Sequence, residues 1–398
     1  MKKYRIVSLF SGAGGFDLGF LNNNFEIVWA NDSFIEAVET YKHNIGNHIV
    51  LGDITKIKSE EIPDDIDVVI GGFPCQGFSI ANGKRHEKDE RNFLYKEMLR
   101  IIKDKNPKIF VAENVKGILS LANGKVFELI KNDFKKLGYE LDYKVLDASK
   151  YGVPQKRERV IIIGNKIKCK NIFPEETHGA NKKKEKTVEE SISFLKNVKL
   201  QNEMQIVDKR EIYNHLASTN VKDKFFGRKY EVNQAEICDF LKKYRNNSKW
   251  TTNKIDEYFG YKHTAGHWFR KDNKSGCIPK PEDWWKLKKI LKFDNKYDKV
   301  VTTFVEKEIK FEQSLRITNW DRPSDTITAT LPEIHISKNR RLSARECAIL
   351  QTFPDNHIFY GTLSKIYTQI GNAVPVMLAD KIAKEIQKML EESENNDN

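Results

Sequence analysis

Ile6-Val7-Ser8-Leu9-Phe10-Ser11-Gly12-Ala13-Gly14-Gly15 runs a short apolar segment straight into a glycine-rich turn. The first five residues read as a strand, and Phe16 to Asn22 reads as the start of a helix. Strand, glycine turn and helix in that order make a cradle for a nucleotide. The glycines fall as Gly-x-Gly-Gly, however, and not as the dinucleotide fingerprint Gly-x-Gly-x-x-Gly. A second strand, Phe25 to Trp29, ends in Ala30-Asn31-Asp32, and a third, Ile49 to Leu51, is followed by Gly52-Asp53. An acidic residue at the end of the second strand is where such folds grip ribose hydroxyls. Each signal alone has a bland reading, since a glycine turn is more often a structural necessity than a ligand site. Their succession on consecutive strand ends points to an adenosine-type cofactor.

The next strand, Val68-Val69-Ile70, is short, β-branched and closed by Gly71-Gly72-Phe73-Pro74-Cys75-Gln76-Gly77-Phe78-Ser79. The glycines permit a sharp turn and Pro74 stiffens the step before the thiol. A cysteine at the C-terminal end of a parallel strand stands where open α/β sheets place ligands and reactive groups. Cys75 is therefore a candidate nucleophile. The competing reading is a small buried hydrophobe, the commoner state of a lone cysteine.

Further along, Phe93 to Lys103 and about Val126 to Leu137 pattern as amphipathic helices. Ile109-Phe110-Val111, Tyr143 to Leu146 and Arg159 to Ile163 pattern as strands. Glu113-Asn114-Val115 falls at the end of one strand, beside the Cys75 strand if the order is sequential. Six or seven strands alternating with helices describe an α/β fold built on a doubly wound, mostly parallel, Rossmann-like sheet. Residues 80–92 are polar and aperiodic, either a loop over the site or a surface connection. Arg322 to Thr330 alternates like an exposed strand. Ser343 with Glu346 forms a capping box that starts a helix. A last helix runs to about Leu390, with a polar frayed tail from Glu391 to Asn398.

Composition narrows the class. The 398 residues are 39% hydrophobic and 31% charged, suiting a soluble protein of two or three domains. No apolar run approaches the ~20 residues of a membrane helix, and the basic N-terminus lacks a signal-peptide core, so a cytoplasmic location is expected. Five widely spaced cysteines without a Cys-x-x-Cys argue against both a disulfide framework and a zinc ribbon. His263, His267 and Cys277 lack a fourth ligand at sensible spacing, so no metal is expected. The net charge is +12, and residues 176–340 carry +10 of it, with 34 Lys and Arg against 24 Asp and Glu. Trp268-Phe269-Arg270-Lys271 and Trp284-Trp285-Lys286 interleave aromatics with cations, as nucleic-acid surfaces do. A lysine-rich solvated surface over a small helical core reads equally well.

Taken together, these residues resemble the C5-cytosine DNA methyltransferases of the bacterial restriction–modification type. Phe10 to Gly15, Pro74-Cys75-Gln76, Glu113-Asn114-Val115, Gln155-Lys156-Arg157-Glu158-Arg159, Arg341 to Asp355 and Gly371-Asn372-Ala373-Val374-Pro375 match the family's motifs in order. The match covers roughly residues 1–165 and 317–390. The resemblance implies the S-adenosylmethionine-dependent methyltransferase fold with a second, smaller target-recognition domain. It implies Cys75 as the nucleophile that adds to C6 of cytosine and Glu113 as the group at N3 of the ring. Arg157 and Arg159 are implied as the cations that hold the base and the carboxylate. It places S-adenosylmethionine against Phe10, Gly12, Gly14 and Gly15, with Asp32 on the ribose, Asp53 on the adenine amino group and Ile54 against the ring. Pro74, Asn372 and Val374 would line the same pocket. Where the family often has an aromatic after the ribose-binding acid, this chain has Ser33, then Phe34.

The domain boundaries this implies are 1–175 for catalysis and cofactor, 176–364 for target recognition, and 365–398 to complete the catalytic domain. The expected partner is double-stranded DNA with a flipped target cytosine, with no membrane, a monomeric chain and a restriction endonuclease as functional pair. An amino-directed methyltransferase is excluded, because no Asn- or Asp-Pro-Pro-aromatic motif is present. A tRNA cytosine methyltransferase of the same fold and a catalytically silent DNA-binding regulator stay open as alternatives. The long insert and the retained Cys75, Glu113 and arginines weigh against them respectively.

Overall fold

The computed structural model describes residues 3–74, 94–219, 221, 234–261, 280–306 and 316–397. Cys75, the 80–92 stretch, residues 268–271 and the His263, His267 and Cys277 set lie outside the described residues. The chain divides into two compact units. One comprises Met1–Ser218, Asn319–Pro332 and Leu342–Asn398, the other Thr219–Thr318 and Glu333–Arg341.

The first unit is built on a seven-stranded sheet: β1 Tyr4–Leu9, β2 Phe25–Asp32, β3 Ile49–Leu51, β4 Val68–Gly71, β5 Ile109–Val115, β6 Glu140–Asp147 and β7 Glu158–Asn165. The order across the sheet is β3-β2-β1-β4-β5-β7-β6. All neighbours from β3 to β5 pair in parallel, and β7 runs against both β5 and β6. Val68, Val69 and Ile70 are wholly buried, as a central parallel strand covered on both faces requires. Helices α1 Gly15–Leu21 and α2 Ile35–Asn44 and the last helix, α12 Val376–Asp397, cover one face through Phe16, Phe20, Tyr41, Leu378 and Ile382. Helices α3 Leu94–Lys105 and α4 Lys125–Lys136 cover the other, α3 by burying Tyr95, Met98, Ile101 and Ile102 on one stripe. The doubly wound reading of the sequence therefore holds, with β4 beside β5.

Three local expectations fail. Residues 391–397 do not fray, since α12 carries on to Asp397. Tyr4 Oη–H donates to Glu394 at 3.0 Å and Lys108 lies 3.7 Å from the same carboxylate, which ties the helix end to the sheet. Arg322 to Thr330 is not an exposed strand. It forms a single bridge, Ser324 to Gln155, and buries Ser324 and Ile327. Its bonds run to residues 154–156: Ser324 N–H reaches Pro154 O at 3.0 Å, Thr326 Oγ1–H reaches Lys156 O at 2.8 Å and Ile327 N–H reaches Gln155 Oε1 at 2.9 Å. Finally, much of the segment assigned to the middle of the chain packs in the first unit. Helix α5 Val188–Ile192, started by a Thr187–Glu190 capping box, shares a core with Trp320, α10 Ala344–Leu350 and α11 Leu363–Asn372. The hairpin β8 Gln205–Val207 and β9 Arg210–Ile212 is held nearby, Asn214 O accepting from Arg345 N–H at 3.1 Å.

The second unit is helical. Helices α6 Gln234–Asn247, α7 Thr252–Phe259, α8 Pro281–Leu291 and α9 Asp298–Glu306 enclose Ile237, Leu241, Ile255, Trp284, Leu287, Phe293 and Val301. Among the described residues, no helix is long and apolar enough to cross a membrane.

Candidate active site

The C-terminal ends of β1, β2, β4 and β5 open into one cavity of about 840 Å³. This is the crevice where doubly wound sheets bind ligands, at the strand ends where the winding reverses. Phe10, Gly12, Gly15, Asp32, Asp53, Ile54, Pro74, Glu113, Arg157, Arg159, Asn372 and Val374 all line it. Twelve of the fourteen residues singled out in the sequence are thus brought together. Cys75 lies outside the described residues, immediately after Pro74.

The other exception is Gly14. It is absent from the lining because it caps α1 from behind at φ +84, and a Cβ there would strike Ile45 and Tyr41. Its role is to let the turn lie flat on α2. Gly15 performs the matching task on the other side, its Cα packed against Val374 O, where a Cβ would come within 2.5 Å. Phe10 takes a left-handed conformation (φ 55) at the end of β1, a strained position of the kind found at ligand sites.

Asp32 turns its carboxylate inward. Oδ2 accepts from Gly12 N–H and Oδ1 from Phe34 N–H, both at 2.8 Å, and burial pushes its pKa up against those bonds. Asp53 is exposed and caps a short 3-10 turn over residues 54–56. The Thr55 N–H and hydroxyl that it accepts hold its pKa down. Ser33 and Phe34 both line the cavity, and Lys365 Nζ stands 4.7 Å from the centre of the Phe34 ring.

At the opposite end, Glu113 and Arg159 meet across the β5–β7 ladder, Nε to Oε1 at 2.7 Å, each side chain only 11% exposed. A pair this enclosed fixes both partners. Arg157 is different from what the sequence suggests. It is fully buried and donates to two carbonyls, Ile327 O at 3.0 Å and Gly371 O at 2.8 Å. Burial pushes its pKa well down and Arg159 adds to the shift. Arg157 fastens the 322–330 segment and the end of α11 to the sheet, and Arg159 takes the carboxylate.

Two residues here were given no role by the sequence. Asn114 Nδ2–H donates to Phe73 O at 2.9 Å, which locks the end of β5 to the backbone just before Pro74. Asp17, wholly buried in α1, accepts from Ser8 Oγ–H at 2.7 Å and Tyr41 Oη–H at 2.6 Å. Burial pushes its carboxyl up to about 6. The available signal was a lone acid between Phe16 and Leu18 and a lone serine inside an apolar strand, since buried polar residues come in bonded sets.

The sheet order and the cavity define an S-adenosylmethionine-type methyltransferase fold. Among solved structures, a putative DNA modification methyltransferase from an E. coli prophage matches with a TM-score of 0.61 at 22% identity, over 98% of this chain and 100% of that one. The Dnmt2 methyltransferase of S. pombe matches at 0.54 and 16%, over 98% and 99%. Residues 4–388 match the family described as C-5 cytosine-specific DNA methylase. The Type II methyltransferase M.BspRI of Lysinibacillus sphaericus is 33% identical over 96% of this chain and 81% of its own length. M.FnuDI of Fusobacterium nucleatum is 32% identical over 98% and 96%. The chain belongs to the C-5 cytosine-specific DNA methylase family and is a cytosine-5 DNA methyltransferase.

Proposed function

We propose that this chain methylates C5 of a cytosine, turned out of duplex DNA, within one short sequence, as the modification enzyme of a Type II restriction–modification pair. The names of relatives similar along nearly the whole chain support the pairing. The observation that carries the chemistry is the enclosed Glu113–Arg159 pair, sharing one cavity with Pro74 and the glycine turn.

Cytosine C5 is a poor nucleophile, so a thiolate must first add to C6. Cys75 supplies it. Glu113 holds or protonates N3 and so draws charge away from the ring as the C6–S bond forms. Arg159 keeps the Glu113 carboxyl in place. S-adenosylmethionine supplies an electrophilic methyl when bound. Afterwards the C5 proton leaves, the C6–S bond breaks and the Cys75 thiolate is released. The cavity residues fit that cofactor: the Gly12 Cα faces open space, a half-buried acid ends β2 and an exposed one follows β3. Phe10, Gly12, Gly15, Asp32, Asp53, Ile54, Pro74, Asn372 and Val374 would hold it, with Gly14 bracing the turn. Burial of a base edge in so small a pocket requires a flipped nucleotide. The basic middle of the chain reads the sequence, and the enzyme works as a cytoplasmic monomer.

Bisulfite sequencing of DNA from cells expressing the chain tests this. Protected cytosines should fall in one sequence context, and Cys75→Ala should abolish them while leaving cofactor affinity within about twofold. Protection confined to tRNA, or full activity of Cys75→Ala, overturns the reading.

A further inference from the structure

Two adjacent tryptophans in the second unit sit in opposite surroundings. Trp284 is fully buried, its Nε1–H donating to Asp298 Oδ1 at 2.9 Å and its ring 4.7 Å from that of Phe293. Trp285 is 48% exposed. With 3.6 residues per turn, burying Trp284, Leu287 and Leu291 directs Trp285, Lys286 and Lys289 outward on α8. Lys292 caps the helix in a left-handed conformation and is also exposed.

The charges on this face are not equally engaged. Lys288 is taken by Asp298 and lies 5.5 Å from the Trp285 ring, covering one side of it. Lys286 lies 3.6 Å from Asp283. Lys289 and Lys292 have no ion-pair partner among the described residues. Glu282 is the acid of the same face, at its N-terminal end, so positive charge grows along the helix toward Lys292. Trp285 lies among exposed lysines on this face, so a partner that covers the indole also meets their charges. Indole donates one N–H and stacks, and lysine is a compact point charge. An N–H donor beside Lys289 and Lys292 suits the phosphate oxygens of a polyanion better than an apolar partner.

We propose that the outward face of α8, formed by Trp285, Lys286, Lys289 and Lys292, binds the sugar–phosphate backbone of duplex DNA independently of base sequence. From Trp285 to Lys292 the helix rises about 10 Å, enough to address neighbouring phosphates of one strand. The proposal rests on the reading of the chain as a DNA methyltransferase.

The test uses the full chain and fluorescein-labelled duplexes, one containing the methylated sequence and one scrambled, titrated across a series of salt concentrations. Each lysine–phosphate contact contributes a slope of about −0.9 in log K against log salt. The double variant Lys289→Gln/Lys292→Gln should therefore flatten the slope by about 2, with the same affinity loss on both duplexes. Trp285→Ala should weaken binding about tenfold on both duplexes with the slope unchanged. An unaltered slope in the double variant, wild-type affinity in Trp285→Ala, or losses confined to the methylated sequence each overturn the proposal. A wild-type chain that binds no duplex overturns the DNA reading along with it. Protected cytosines together with an unaltered slope overturn this proposal alone.

Discussion

Gly72 and Glu113 act as one device at the scale of single residues. A Cβ on Gly72 would stand 3.0 Å from Glu113 Oε2, and Oε1 is already committed to Arg159. Gly72→Ala must therefore push the carboxylate or the β4 end aside by a few tenths of an ångström. Small misplacements of a reacting group cost orders of magnitude in rate, so single-turnover methylation should fall about tenfold or more while cofactor affinity holds. A wild-type rate would show that the carboxylate has slack. The two arginines separate in the same spirit. Arg159→Ala should remove turnover and also leaves the enclosed Glu113 carboxylate unpaired, so Arg159→Lys, which keeps the charge, is the variant whose stability should hold. Arg157→Ala leaves Ile327 O and Gly371 O without their donors, at about 1–3 kcal/mol for each buried group, and should lower the midpoint of chemical unfolding. The reverse pattern would interchange their assignments. The sequence shows Glu113, Arg157 and Arg159 as a cluster but cannot rank the arginines. The carbonyls that claim Arg157 come from 170 and 214 residues further along the chain.

Elements whose signals are local were legible. Strand ends, the amphipathic stripe of α3 and the start of α10 all follow from neighbours within a few residues. At α10 the capping box is present as read: Ser343 Oγ accepts from Glu346 N–H at 3.0 Å and Glu346 Oε2 accepts from Ser343 N–H at 2.7 Å. Both residues are wholly buried, and Ser343 Oγ also meets His215 Nδ1 at 2.9 Å. Ser343→Ala should therefore destabilise the protein toward the upper end of the cap range, about 2 kcal/mol, measurable by urea unfolding. Ser343→Thr should retain most of it. A loss in Ser343→Ala no larger than that of an exposed cap would mean that the His215 contact contributes nothing. Elements defined by distant partners were not legible. The 322–330 segment alternates like a strand, but its partners at 154–156 lie about 170 residues away in sequence, and no local property of Ser324 or Thr326 announces them. The polar end of α12 looks frayed until Tyr4 and Lys108 are placed beside Glu394.

Across the whole sheet-bearing unit, two buried titratable groups pull acid stability in opposite directions. Asp17 lies under the glycine turn, and burial raises its carboxyl from 3.8 to about 6. A raised folded-state pKa means that the fold prefers the protonated form. That contribution is complete below 3.8 and is lost as pH rises through about 6. His357 lies between Phe353 and Phe359, bonded to the backbone of Ala13, and its Nε2 has no hydrogen-bond partner. Burial first, then the charges of Arg345 and His43, push it from 6.5 down to about 3. The fold prefers this group neutral, so its contribution is complete above 6.5 and is lost as pH falls toward 3. At about 1.4 kcal/mol for each tenfold change in proton affinity, Asp17 is worth about 3 kcal/mol and His357 about 5. Between pH 6.5 and 4 the loss through His357, about 3 kcal/mol, slightly exceeds the gain through Asp17, about 2 kcal/mol, so the urea midpoint should fall a little. His357→Gln should flatten or reverse that fall, because the stabilising protonation of Asp17 is then unopposed. Asp17→Asn should steepen it. If His357→Gln keeps the wild-type slope, the acid sensitivity lies in other groups and the imidazole beneath the glycine turn is not what titrates.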